Sequence, residues 1–290
     1  MSTDKSSHAS EGVFLSFDAA EKYKIAENAT RPYASIMIQK SGLSQLEGEA
    51  QIFDLACGTG ALEVELYGAV PQEKWGNMSV LGGDVSTSML EFLEARGKAE
   101  GWTGLQTQVV DGMNIQLPPD SYTHLFISFG IFGMPLSTLQ TCHSLIRPGG
   151  FIAISTWKTL HWYEIVASAI AKLDDSPPVP SYEDVVNKMH MGNRWEDPES
   201  VESHLRNAGF EDVEMVVKSI RAVAGTAAGW AEAMMFPVKM IGSEWEAGRK
   251  EERFKAIHEH LRAWAEGKFG VDGKVEMDFT GIVGTGRKAA

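Results

Sequence analysis

Between residues 51 and 156 the chain repeats one pattern: a short apolar run, a turn of glycine or acid, then apolar residues at helical spacing. The pattern predicts strands over 51–55, 79–84, 105–110, 122–129 and 150–156, with helices over 61–69, 86–100 and 137–146. Strand and helix in alternation imply an α/β fold with a largely parallel sheet. Upstream, residues 14–46 read as helical, with Phe17, Tyr23, Ile25, Tyr33, Ile36 and Met37 along the pattern and a break expected at Pro32. Residues 1–12 are small and polar and are expected to be disordered. Downstream, Asp174-Asp-Ser-Pro-Pro-Val-Pro180 predicts a loop, followed by helices over 181–191 and 198–208. Val213, Met215 and Val217 alternate in a strand over 211–219, a helical block fills 226–268, and a last strand covers 276–285. About fifty residues thus separate the last two strands, longer than a plain hairpin requires, and such an insertion beside a ligand edge is expected to act as a substrate lid.

The candidate chemistry lies where the strands end. The first runs into Asp54-Leu-Ala-Cys-Gly-Thr-Gly60, the second ends at Asp84, and the third is followed by Asp111-Gly112-Met113. Open α/β sheets bind ligands at this carboxyl edge. Gly58-x-Gly60 could open a dinucleotide fingerprint, but the third glycine of that motif is replaced by Glu63. An acid there suits a pyrophosphate poorly, and Asp54 before the turn suits a cationic ligand such as the amino group of a methionine moiety. Asp84 fits a ribose in either reading, whereas Asp111 can accept an adenine amine while the Gly112 or Met113 N–H reaches a ring nitrogen. S-adenosylmethionine fits the three acids best; a nicotinamide dinucleotide and a purely structural turn stay open at this point.

These motifs resemble those of class I S-adenosylmethionine-dependent methyltransferases. The run from Asp54 through Ala56 and Gly58 to Gly60 is similar to that family's first motif, and Gly83-Asp84-Val85-Ser86-x-x-Met89-Leu90 to its second. Val110-Asp111-Gly112-Met113 with Leu117-Pro118 resembles the third, Tyr122 to Phe129 the fourth strand with Ser128 at its end, and Leu145-Ile-Arg-Pro-Gly-Gly150 the turn before the fifth. The resemblance implies a Rossmann-like sheet with an N-terminal helical cover and a helical insertion between the last two strands. It also implies that these positions bind the cofactor and that S-adenosylhomocysteine is the product. More narrowly, Glu21-Lys-Tyr23-Lys, Phe129-Gly130, Ser155-Thr-Trp157, Met234-Met235 and the Gly281–Gly286 tail are similar to fungal secondary-metabolite methyltransferases, especially those that S-methylate gliotoxin-type dithiols. That likeness implies a small, largely apolar acceptor. The alternatives are N- or O-methylation of another metabolite, or a cofactor-binding protein or cyclase that transfers no methyl. Tyr23 is the expected residue closing over the cofactor.

Acceptor contacts are expected from Phe129 and Phe132 on a glycine-punctuated loop, from Trp157 and Trp162 beyond the fifth strand, and from Met234 and Met235 in the insertion. His161 is the best-placed candidate base. His190 could reach the pocket from the helical cap, His143 reads as structural, and His258 and His260 read as solvated. The expected organisation is a disordered start and helical cover over 1–46, a core over 47–220, a lid over 221–270 and a final strand over 271–290. A net charge of −13 over 290 residues argues against nucleic-acid or anionic-membrane partners. Two cysteines, Cys57 and Cys142, cannot build a disulfide framework, and no Cys or His cluster has metal-ligand spacing. With no signal-like start, these features lead to the expectation of a cytoplasmic monomer with no metal.

Overall fold

Strand alternation sorts the core into two layers. In the computed structural model, which describes residues 17–290 with side chains from Glu27 onward, Phe53, Leu55, Leu125, Ile127, Ile152 and Ile154 pack in one apolar cluster. Their neighbours Ile52, Phe126, Phe151 and Ala153 pack in another, on the opposite face. Strands buried on both faces need nearly continuous apolar sequence, which is why these runs read as unbroken.

Helix α1 (Phe17–Ser41) precedes β1 (Ala50–Leu55), α2 (Ala61–Ala69), β2 (Met78–Asp84), α3 (Thr87–Glu100) and β3 (Leu105–Val109). Then come β4 (Tyr122–Ser128), α4 (Ser137–Leu145), β5 (Ile146–Trp157), α5 (Tyr163–Ala171), α6 (Tyr182–Met189) and α7 (Pro198–Asn207). Strand β6 (Phe210–Thr226) is followed by α8 (Ala227–Ala233), α9 (Met235–Ile241), α10 (Ala247–Phe269) and β7 (Lys274–Lys288). The strands form one sheet in the order β3-β2-β1-β4-β5-β7-β6. β1 to β5 pair in parallel, while β7 runs antiparallel to both β5 and β6.

The structure departs from the expected elements in four places. Helix α1 runs through Pro32 without the expected break. Burial of Tyr33, Ala34, Met37 and Ile38 outweighs the hydrogen bond that proline removes. Helix α5 was not anticipated from the sequence. β6 and β7 extend well beyond the expected strands, because they pair with each other from Phe210↔Lys288 to Thr226↔Lys274. His258 and His260 are half-buried rather than solvated: His258 Nε2 lies 3.3 Å from Glu232, and His260 Nδ1 lies 3.3 Å from the Ala169 carbonyl. The expected disorder of residues 1–12 lies outside the described residues.

The helices between β6 and β7 have an apolar core of their own. Trp230, Val238, Phe254, Ile257 and Leu261 pack there with Val166 and Ile170 of α5 and Val185 and Val186 of α6. Asp175, on the loop before α6, ties this layer together by accepting from Arg253 at 2.6 Å and Arg249 at 2.8 Å.

Tyr33 fastens α1 to the far end of the chain. Its hydroxyl lies 3.0 Å from both the Lys218 and Phe279 carbonyls, across the β6–β7 pair. Its ring covers Gly281, where any Cβ would come within 2.6 Å of it. Burial pushes the phenol up to about 12, so it stays a donor at any physiological pH. Tyr33→Phe keeps the ring and removes only the donor; it should cost about 1 kcal/mol. Tyr33→Ala should cost about 3–5 kcal/mol, because it leaves a cavity between helix and sheet. Urea unfolding of both variants measures the difference.

Candidate functional site

Parallel pairing in register brings the strand ends level. Leu55 lies beside Gly83, Asp84 beside Val109, and Ser128 beside Ser155. The turn after β1 then enters the left-handed region three times, at Ala56 (φ 60°), Gly58 (φ 54°) and Gly60 (φ 88°). For Ala56 that conformation costs energy, and strain of this kind gathers at functional sites. Phe129, at the end of β4, is likewise left-handed (φ 56°). The two strained turns touch, since a Cβ on Gly130 would lie 2.6 Å from that of Ala56.

Asp84 clamps the first two turns. Its Oδ2 accepts from the Gly58 N–H at 3.0 Å and its Oδ1 from the Ser86 N–H at 2.9 Å. Ser86 caps α3 by accepting from the Met89 N–H at 3.4 Å. Burial raises the Asp84 pKa, and these N–H donors partly offset the rise. Each carboxylate oxygen keeps a further lone pair, so the clamp leaves Asp84 able to accept from a ligand. The third turn corrects part of the sequence reading: Asp111 is exposed, and its Oδ1 accepts from the Met113 N–H at 2.9 Å. That N–H is therefore engaged within the chain. Val85 and Met113 flank the edge with 53% and 52% exposure, high for apolar side chains.

Beneath the first turn lie two buried acids. Asp54 is 1% exposed and Glu63 fully buried, and Asp54 Oδ1 and both Glu63 oxygens have no conventional donor among the described residues. Desolvation pushes both carboxyls up, Glu63 to about 7, and each bears on the other. The nearby cation is turned aside. Arg96 donates to Glu27 at 2.8 Å and to the Thr59 carbonyl at 3.0 Å, and the Thr59 hydroxyl donates to Glu27 at 2.6 Å. Glu27 of α1 is thereby a buried link between that helix, the turn and α3. Among the described residues the turn thus faces acids and no free cation, a setting that disfavours a pyrophosphate and favours a positively charged ligand.

The acceptor-side residues separate into two groups. Phe129 and Trp157 stack with centroids 4.0 Å apart, and Tyr33 meets both edge-on. Ser128 lies beside them with its hydroxyl 3.5 Å from that of Ser155, and Phe132 is half-buried on the adjoining turn. Met235, by contrast, is packed into the helical layer's own core, with Met234 and Trp162 against it. Helical spacing alone could not separate that core from the acceptor edge. His161 stands behind Phe279, 6.3 Å ring to ring, and its Nε2 lies 2.6 Å from the Thr159 hydroxyl. Burial lowers its pKa. The Tyr23 side chain lies outside the described residues. Sequence reading missed the roles of Tyr33, Glu27 and Arg96, which depend on contacts between distant segments.

Comparison with known proteins agrees with this geometry. The model of the ubiE/COQ5 methyltransferase family matches residues 30–171. An acetylaranotin bis-thiomethyltransferase from Aspergillus terreus is 28% identical, covering 95% of this chain and 96% of its own. The methyltransferase tpcH from Aspergillus fumigatus is 26% identical, covering 96% and 99%. The chain is an S-adenosylmethionine-dependent methyltransferase, similar to the class I enzymes in motifs and fold. Its fold is shared with phosphoethanolamine N-methyltransferase 2 from Haemonchus contortus, solved with S-adenosylhomocysteine, at a TM-score of 0.56 and 13% identity. That match covers 95% of this chain and 58% of the other. Among the described residues no helix is long and apolar enough to cross a membrane, and no cluster of acids, histidines or cysteines is placed to hold a metal.

The Asp54–Glu63 pair gives a signed prediction. Between its unfolded pKa near 4.5 and its folded value of about 7, Glu63 holds more proton in the native state, so its contribution to stability falls as pH rises through that window. Glu63→Gln should flatten the slope and raise Tm at pH 8, as read by calorimetry across pH 4.5–8.

Proposed function

We propose that this methyltransferase S-methylates a small, largely apolar dithiol metabolite of the diketopiperazine kind. The observation that carries the reading is the similarity, along nearly the whole of both chains, to a protein named as a bis-thiomethyltransferase. The apolar lining at the ends of β4 and β5 supports it, since Phe129, Phe132 and Trp157 offer flat faces to a fused-ring substrate. Two free, buried cysteines support a reducing, cytoplasmic setting, and we take the working unit to be a monomer.

S-adenosylmethionine supplies a methyl group on a positively charged sulfur. Asp84 accepts from the ribose hydroxyls, Asp111 and the Gly112 N–H meet the adenine edge, and Val85, Met89 and Met113 flank its ring. Asp54 faces the methionine amino group. Ala56, Gly58 and Gly60 bring the backbone close to that moiety, with Ser128 beside it. The helices between β6 and β7 cover the acceptor. Those residues align the sulfur nucleophile with the methyl and exclude water, which is where the acceleration arises. A thiol of pKa about 8.5 is already partly ionised near neutrality, so positioning carries much of the catalysis.

Three measurements test this. Asp84→Ala should weaken S-adenosylmethionine binding by calorimetry by about 2 kcal/mol or more, through loss of a charge-assisted pair and of the clamp on Gly58. Incubation with dithiol, amine and hydroxyl acceptors of similar size, followed by mass spectrometry, should show methyl gain on sulfur. Gain only on nitrogen or oxygen would refute the substrate assignment. On the same thiol, Phe129→Ala should slow turnover more than His161→Ala, whose effect should stay well short of the roughly 10²–10⁴-fold expected for loss of a general base.

A further inference from the structure

His190 is better placed for proton transfer than His161. It caps the C-terminus of α6, a helix whose N-terminus is fixed by a reciprocal Ser181–Asp184 capping box. The chain then passes through Met191 (φ 51°), Gly192 (φ 74°) and Arg194 (φ 50°), two of them non-glycine residues in the left-handed region. Three bonds hold this strained loop: the Gly192 N–H donates to the Asn187 carbonyl at 2.9 Å, the Asn193 N–H to the His190 carbonyl at 3.0 Å, and His204 Nε2 lies 2.7 Å from the Asn193 carbonyl. The product of that strain is the position of one ring. His190 is 1% exposed, and its Nδ1 lies 2.8 Å from Glu196 Oε2. Glu196 does not need to be ionised to position the ring, but as a carboxylate it can only accept, so Nδ1 carries the hydrogen and Nε2 keeps its lone pair. That Nε2 is buried with no hydrogen-bond partner among the described residues. The ring packs on Phe132 at 5.7 Å, on the turn whose neighbours Phe129 and Gly130 bound the acceptor side of the site. A buried polar nitrogen without a partner is costly, and a nitrogen oriented by a carboxylate beside a substrate loop has the form of an orienter–base pair.

We propose that His190 is the catalytic base of the methyl transfer, with Glu196 as its positioning residue. The inference rests on the small-acceptor reading above. As the acceptor's S–H proton passes to Nε2, the sulfur lone pair forms the bond to the methyl carbon. The carbon–sulfonium bond breaks, and its electrons stay on the sulfur of S-adenosylhomocysteine. The imidazolium is stabilised by Glu196, which is 27% exposed and connects the ring to solvent for proton loss. Burial lowers the pKa of His190, and Glu196 partly restores it. The other nearby charges, Arg194 and Asp197, pair with each other at 3.1 Å. The ring therefore stays neutral and ready to accept through the neutral pH range.

The test compares wild type, His190→Asn and Glu196→Gln on one dithiol acceptor. His190→Asn should keep S-adenosylmethionine affinity by calorimetry. Its turnover at pH 6.5 should fall by about 10²-fold or more, and the deficit should shrink as pH rises toward the thiol's own ionisation near 8.5. Glu196→Gln should move the acid limb of the wild-type profile to lower pH. Nitrogen NMR of the wild-type ring, which depends on neither a variant's folding nor activity, should show the Nδ1–H tautomer titrating below 6.5. An Nε2–H tautomer, a pH-independent deficit or a wild-type rate in His190→Asn would each overturn the assignment. Wild type that methylates no thiol at all would instead count against the proposed acceptor class.

Discussion

Tyr33 is the residue on which the arrangement of the site depends. Its ring bears on Phe129 and Trp157, and its hydroxyl reaches carbonyls of two strands that lie far along the chain. The first helix, the ends of β4 and β5, and the last hairpin therefore share one buried contact. Phe129 adopts a backbone conformation that would relax if left alone, and the aromatic packing around it is what opposes that relaxation. Gly281 completes the contact by leaving room for the ring.

Electrostatics at the neighbouring turn follow from the same helix. Glu27 captures Arg96, the cation closest to the glycine turn, and holds it against Thr59. Asp54 and Glu63 lie buried beneath the turn, with Arg96 acting on Glu63 across space while bonded elsewhere, so the turn presents acids to whatever binds above it. A sulfonium donor suits such a turn, and the neutral thioether that remains after transfer suits it less. Selectivity for substrate over product can thus arise from the charge beneath the turn as well as from contacts above it.

The sheet and the cofactor edge were largely legible in the sequence, because apolar runs ending in Asp54, Asp84 and Asp111 each carry a local signal. Boundaries failed where pairing extended a strand beyond its own pattern, as in β6 and β7, and where burial overrode a local signal, as at Pro32. The acceptor side was harder to read. Met235 and Phe129 look alike as apolar residues near glycine or proline, yet one packs into a separate helical core and the other against Tyr33. The sequence offers His190 only as a residue of the helical cap that could reach the pocket. Its interest comes from Glu196, Phe132 and two strained residues, which only the folded chain brings into relation.

The position of the final strand has a consequence for how the protein is made. β7 lies between β5 and β6, and among the described residues β6 pairs with nothing else. During synthesis the sheet therefore stops at β5, with its outer edge unpaired, until β7 has emerged. Throughout that interval the nascent chain presents open strand edges, which are templates for pairing with other chains. A ribosome that stalls before β7 is made would leave a product whose cofactor half has formed beside an unfinished sheet. Quality control would meet that product as an aggregation hazard rather than as a weakened enzyme.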